Sequence, residues 1–503
     1  MNKTSPQKTT CQVGLDQKNE AVISAHFMDK INGNSELDLY TSEAFLKRAT
    51  YVSPDWMFNG LIPVLLNASQ QFVTERVAAV KKRVLCYFRE YGLNEARDIG
   101  TAECIAEVMF DRQFLKGRKS NYSRLALAAQ IKELIKNKQP VKMVIPALPY
   151  KSSSPLKSRG ILPDLSEVNF LLSLAEIART ITLIYGEQTS APPRLAKFTV
   201  ISDGSRFNRF LNEPLENIHH YQQGLNWWID QLKIGDYVEI ADYQQDIVKS
   251  LPKTLWLQKN SIRNQVIQLY SEVMIPILNP LAMTQTLNDA IARDPDPETD
   301  YAEGRFVPLF KSLLYTISYQ CLQNYALLHG MEYDRLYTEI MRRIFKPYQA
   351  ADKEHVHSLE DLRQTMLQEA WLAAIHYIAE IRSDRDLEDD PVLVCFPDAI
   401  RWTIHAKRGQ LALLTTAGQG DPVQPWHGSA ICQLTRTSKI KFYTHPVLLL
   451  EGKGATPILV EDPQDRLGLK NQPLFYVSAD ICFKDSGDLL HQIENLLTRK
   501  RKL

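Results

Sequence analysis

Between residues 54 and 138 apolar positions recur every three to four residues, and QQFVTERVAAVKKRVLCYFREYG sets a basic face against an apolar one before stopping at Gly92. That spacing predicts helices. The pattern then changes. VKMVIPAL (141–148) is a short apolar run rich in branched residues, as a buried strand would be. From Asp164 to about Tyr185, the spacing of Leu165, Val168, Leu172, Ala175, Ala178 and Leu183 predicts an amphipathic helix. KFTVIS (197–202) is a second short strand, cut off by Asp203-Gly204. Strand, helix and strand in this order form a βαβ unit, whose two strands run parallel.

Residues 216–380 read as mostly helical, interrupted by the solvated linker RDPDPETD (293–300), and LEDLRQTMLQEAWLAAIHYIAEI (359–381) is a long amphipathic helix. Strands return near the C-terminus: VLVCF (392–396), IRWTIHA (400–406), QLALLTT (410–416) and LFYVSA (474–479) are the candidates. The sum is an α/β domain with a helical N-terminal extension and a helical insertion. The boundaries predicted are a disordered tail over 1–40, a helical extension over 41–139, the α/β domain over 140–480 with its insertion at about 225–360, and a C-terminal helix over 481–503.

Composition narrows the function classes. The formal net charge of +1 points to neither nucleic acid nor an anionic membrane, so any anion site must come from local charge. The N-terminal stretch MNKTSPQKTTCQVGLDQKNE is polar and lacks the apolar core of a secretory signal. No apolar run is read as approaching the roughly 18 residues of a membrane-spanning helix. The 7 cysteines show no CxxC spacing, which favours reduced thiols and a cytoplasmic location.

The chemistry concentrates in the loop PALPYKSSSPLKSRGILPD (146–164). In an open parallel sheet ligands bind beyond the carboxyl ends of the strands. One such end carries Lys151, Lys157 and Arg159; the other is Ser202-Asp203-Gly204. A helix starting at Asp164 adds a positive dipole end suited to a phosphate. Against this, Asp164 with Glu167 three residues later resembles a capping box, and the three cations can be ordinary solvated loop charges. In IRWTIHAK (400–407) strand alternation sets Ile400, Trp402, Ile404 and Ala406 on one face and Arg401, Thr403, His405 and Lys407 on the other. A face bearing Arg, His and Lys suits an anion and a mobile proton; the alternative is an exposed basic strand face. PWHG (425–428) sets His427 in a turn, either over a pocket or as a buried anchor. The pairs His219-His220 and His355/His357 lack the companions of a metal site, so no metal is predicted. No GxGxxG, P-loop or GxSxG motif occurs.

Four blocks in this order, PALPYKSSSPLKSRGILPDLSE (146–167), VISDGSRF (200–207), IRWTIHAK (400–407) and PWHG (425–428), resemble the pyoverdine/dityrosine biosynthesis family, the isocyanide (isonitrile) synthases. The resemblance covers roughly 140–225 and 360–440. It implies a Rossmann-like α/β fold with helices on both faces. It implies condensation of the amino group of an aromatic L-amino acid, tyrosine or tryptophan, with the C2 ketone of ribulose 5-phosphate, with no metal or organic cofactor. A downstream Fe(II)/2-oxoglutarate oxygenase is the pathway partner it suggests. Fungal relatives instead form N-formyl tyrosine, and a non-catalytic sugar-phosphate-binding homologue is a further alternative. On this resemblance Lys151, Asp203, Glu167 and His405 are the catalytic candidates. Lys157, Arg159, Asp164, Ser202, Gly204, Arg401 and His427 are the substrate-binding candidates. The chain departs from the family pattern at Ser154-Pro155, where Asn-Pro is common, and at Trp402-Thr403, where Leu-Ser is common. The typical bacterial members are shorter, and the resemblance does not place the extension before residue 140 or the stretch 225–360.

Overall fold

The computed structural model describes residues 47–90, 100–111, 114, 123–151, 158–186, 195–211, 215–271, 313–314, 353–404, 410–413, 423–434, 440–461 and 472–498. The tail 1–40, the linker 293–300, Lys157 and His405 lie outside these residues. The chain divides into two compact units. One is drawn from Glu36–Ile262 and Ile381–Leu503; the other includes Arg263–Glu380.

In chain order the elements are β1 (Thr50–Val52), α1 (Ile62–Glu90), α2 (Thr101–Met109), α3 (Arg124–Lys136), β2 (Val141–Pro146), α4 (Leu165–Gly186), β3 (Ala196–Ser202), α5 (Gly204–Leu211), α6 (Leu215–Gln231) and β4 (Val238–Asp242). Then come α7 (Lys253–Ser271), α8 (Lys353–Arg385), α9 (Pro391–Cys395), β5 (Ile400–Thr403), β6 (Leu411–Ala412), β7 (Ser429–Leu434), β8 (Ile440–His445), α10 (Val447–Gly452), β9 (Thr456–Val460), β10 (Pro473–Val477) and α11 (Ser486–Thr498).

The first unit holds two sheets. One has the order β4-β3-β2-β5-β6, with every neighbouring pair parallel. The predicted βαβ unit is its centre, with Val141 opposite Ala196 through to Pro146 opposite Ile201. From β2 the chain first builds outward through β3 and β4, then returns to β2's other side with β5. The order therefore reverses between β2 and β5, and the crevice at that switch point, beyond the carboxyl ends, is where open α/β sheets take ligands. The second sheet, β1-β9-β10-β7-β8, mixes parallel and antiparallel pairs.

Helix α4 contacts both sheets as well as α1 and α2, which explains why its residues are apolar nearly all round. It is also long and apolar enough, by length and composition alone, to cross a membrane, which corrects the expectation that no run approached that size. Its burial identifies it as the central helix of the unit.

Other corrections follow from local chemistry. VLVCF is not a strand: Asp390 Oδ1 accepts the Val392 amide at 2.9 Å and Pro391 starts a short helix, α9, so the cap and the proline decide the conformation of an apolar run too short to carry its own signal. Within 216–380, read as mostly helical, also lies the short strand β4, whose register runs from Phe198 opposite Val238 to Ser202 opposite Asp242. The strands β1, β7, β8 and β9 had no sequence signal that we recognised. In the second unit, Val266 on α7 and Trp371, Ile375 and Ile378 on α8 are buried, and Arg263 pairs with Glu380 at 3.1 Å.

Candidate active site

At the carboxyl edge of the parallel sheet, the chain leaving β2 crosses the start of α5. A Cβ on Gly204 would lie 2.0 Å from the Pro149 carbonyl oxygen, a contact no side chain tolerates. This backbone approach gives the glycine of VISDGSRF its reason. Gly204→Ala is expected to cost about 1–3 kcal/mol of stability by forcing these two segments apart; urea unfolding measures it, and an unchanged midpoint would refute the contact.

Lys151 is 1% exposed and is held by two carboxylates, Asp164 Oδ2 at 2.9 Å and Glu167 Oε2 at 2.9 Å, which are 2% and 0% exposed. The capping box forms around it. Asp164 Oδ1 accepts the Ser166 amide at 2.7 Å, and Glu167 Oε2 accepts the Asp164 amide at 2.9 Å. The Tyr221 hydroxyl donates to Glu167 Oε1 at 3.3 Å. Burial pushes the Glu167 carboxyl up to about 8; Lys151 opposes this and Asp164 adds to it. Burial also works against the Lys151 ammonium, but its two carboxylate neighbours outweigh that and hold it above its ordinary value. The ammonium and the two carboxyl groups satisfy one another in a closed, buried trio.

Arg159 is likewise engaged. Its guanidinium grips Glu451 in bidentate fashion at 3.0 and 2.8 Å, and the Tyr476 hydroxyl donates to the same carboxylate at 3.1 Å. Gln472 donates to the Leu162 carbonyl at 2.8 Å and accepts its amide at 3.0 Å. Residues near the mixed sheet thus pin the far end of the cationic loop. Neither Lys151 nor Arg159 is a solvated loop charge.

A second charged group gathers around Asp203, the residue between β3 and α5. Arg206, one helical turn on, reaches Asp384 Oδ2 at 2.8 Å and stacks over the Tyr243 ring at 4.7 Å. Lys259 pairs with the same Asp384 and donates to Ser383 Oγ at 2.9 Å. The Tyr243 hydroxyl donates to Asp384 at 2.8 Å. Burial alone would raise the Asp384 carboxyl, but Arg206 and Lys259 bring it below its usual value. Arg401 on β5 donates from Nε to Asp390 Oδ2 at 3.1 Å and from Nη1 to the Trp402 carbonyl. Burial lifts Asp203 to about 6, with Arg206 and Arg401 resisting and Asp384 adding to the rise. A carboxyl raised to about 6, within electrostatic reach of two guanidinium groups, can exchange a proton while those cations attract an oxyanion.

The structure thus brings Lys151, Asp164 and Glu167 together, and sets Arg401 within electrostatic reach of Asp203. Ser202 points its hydroxyl at the Leu148 carbonyl, 2.8 Å away. His427 sits in the turn Pro425–His427 beside Trp426, whose ring meets Phe170 of α4 edge-on at 6.3 Å. Arg206, Lys259, Tyr243 and Asp384 were not anticipated. Arg206 stood inside VISDGSRF, three residues after Asp203, and helical spacing could have flagged it.

Residues 131–305 match the family model described as pyoverdine/dityrosine biosynthesis protein. The L-tryptophan isonitrile synthase AmbI1 of Fischerella ambigua is 31% identical over 103 residues, 20% of this chain and 30% of that protein. The L-tryptophan isonitrile synthase AmbI2 of the same organism is 25% identical over 147 residues, 27% and 42% respectively. The L-tyrosine isonitrile synthase of Xenorhabdus nematophila is 31% identical over 93 residues, 18% and 26%. The matches span less than half the length of each of these relatives. The crystal structure of the PvcA protein from Pseudomonas aeruginosa aligns with 75% of this chain and 100% of its own, at 17% identity and a TM-score of 0.46.

Proposed function

We propose that this chain, whose residues 131–305 match the model of the pyoverdine/dityrosine biosynthesis family, is an isonitrile synthase that joins the amino group of an aromatic L-amino acid to the C2 carbon of ribulose 5-phosphate. The observation that carries this reading is the meeting of the loop from β2 with the turn after β3, beside the switch point, where Arg206 and Arg401 act electrostatically on Asp203.

The chemistry fits those side chains. The substrate ammonium must lose a proton before nitrogen can attack a ketone, and Asp203, ionised above about pH 6, takes it. Attack followed by loss of water gives an imine, and the protonated Asp203 is the donor for that water. Arg401 and Arg206 hold the substrate's oxyanions, carboxylate or phosphate, through planar paired donors. Lys151 and Glu167, two of the other catalytic candidates, have their polar atoms satisfied inside the protein; we assign them with Asp164 to holding the loop. Arg159 joins them through Glu451 rather than binding substrate.

Mass spectrometry of the protein incubated at neutral pH with ribulose 5-phosphate and each aromatic L-amino acid tests the reading. The expected product carries one more carbon than the amino acid and neither amine hydrogen. A product heavier than this by one water would move the protein to the N-formylating branch. Absence of product with every amino acid would overturn the assignment.

A further inference from the structure

Leu148, the second residue beyond β2, has φ 56°, in the left-handed region that a leucine enters only when its surroundings force it. Its side chain is fully buried, so the strain is not relieved by exposure. A run of hydrogen bonds across three strand ends supports this conformation. The Ser202 hydroxyl, at the end of β3, donates to the Leu148 carbonyl at 2.8 Å. Gln222 Nε2, on α6, donates to Ser202 Oγ at 3.1 Å and to Asp242 Oδ2, at the end of β4, at 2.8 Å. Asp242 is itself fixed, since its Oδ1 accepts the amides of Gln244 at 2.9 Å and Gln245 at 3.0 Å. The next residue, Pro149, has its carbonyl pressed against Gly204.

We propose that Ser202 and Gln222 are positioning residues that hold Leu148 in its left-handed turn and so fix the direction in which the chain leaves β2 toward the substrate. Ser202 is fully buried; its hydroxyl donates to the Leu148 carbonyl at 2.8 Å, with the Pro149 carbonyl farther off at 3.5 Å, and accepts from Gln222. Both of its hydrogen-bonding roles are used on protein atoms, so the residue read from sequence as a substrate contact acts through the backbone it secures. The consequence for turnover rests on the isonitrile-synthase reading; the positioning itself does not.

Hydrogen exchange on the full chain, comparing the wild type with Ser202→Ala and Gln222→Leu, tests the positioning. The Leu148, Tyr150 and Lys151 amides are expected to exchange about 10-fold faster or more in both variants, while those of α4 and β9 keep their rates. Equal acceleration everywhere would show a general loss of stability, and unchanged rates at 148–151 would show that the turn holds itself; either result overturns the proposal. In the assay with ribulose 5-phosphate, KM is expected to rise about 10-fold with kcat within about 3-fold, the pattern of a site that is misaimed but chemically intact. A fall in kcat at unchanged KM would contradict positioning. Absence of turnover in the wild type would refute the functional reading and leave the exchange result to decide the inference.

Discussion

Lys151→Ala is expected to lower the free energy of unfolding by about 3–5 kcal/mol, the cost of stranding buried charge by deleting its partner. The ammonium sits 2.9 Å from each of two carboxylates, and no member of the trio is more than 2% exposed. Without it, Asp164 and Glu167 face each other with no cation between them. The pH dependence has a definite sign. The folded Glu167 carboxyl, at about 8 against an ordinary 4.5, binds more protons than the unfolded chain between those values. Its contribution is therefore fully present below about pH 4.5 and is lost as pH rises through about 8. In the variant the deficit should shrink in acid, where both carboxylates can protonate, and grow in alkali. Glu167→Gln is the contrasting case. The acid already carries a proton near neutrality, so an amide should cost less than about 1 kcal/mol and flatten the slope. Urea unfolding at acid, neutral and alkaline pH measures all three forms. A Lys151→Ala protein within about 1 kcal/mol of wild type would mean that the trio is not closed to water.

The same trio shows what a sequence conceals. The capping box Asp164–Glu167 was legible from spacing alone, and it forms. That a lysine thirteen residues earlier in the chain closes over it was not, because a cation among serines and prolines has the composition of a solvated loop. The βαβ core was legible because β2 and β3 are short runs rich in apolar branched residues and a long apolar helix, α4, lies between them. The mixed sheet was not: β8 (IKFYTH) alternates weakly, and β1 and β9 are short, so their pairing is settled by partners far along the chain. Asp384 belongs to the same category. It sits near the end of a long helix with no local feature to distinguish it from other solvent-facing acids, and becomes a ligand for Arg206, Lys259 and Tyr243 only when the chain closes over separations of more than a hundred residues.

Asp203→Asn is expected to lower kcat/KM by about 10²–10⁴, the range for loss of a general acid–base group, without lowering stability. The second half of that statement follows from the direction of the pKa. Burial, with Asp384 adding to it, raises the folded carboxyl to about 6, so its ionisation opposes folding between its ordinary 3.8 and that value. Stability from this group falls as pH rises across that window, and the amide removes the fall. The wild-type profile of kcat/KM should therefore climb through about pH 6, as the base ionises. Arg401→Gln should move that climb to higher pH, because Arg401 is one of the two cations that favour the ionised form, and should weaken substrate binding at the same time. A structural role for Asp203 predicts otherwise: a less stable Asn variant, with an unmoved profile in Arg401→Gln. Arg401 lies on β5 level with Val144 of β2, and Asp203 lies just beyond Ser202 of β3, so a shift in one caused by the other reports electrostatic coupling between separate elements.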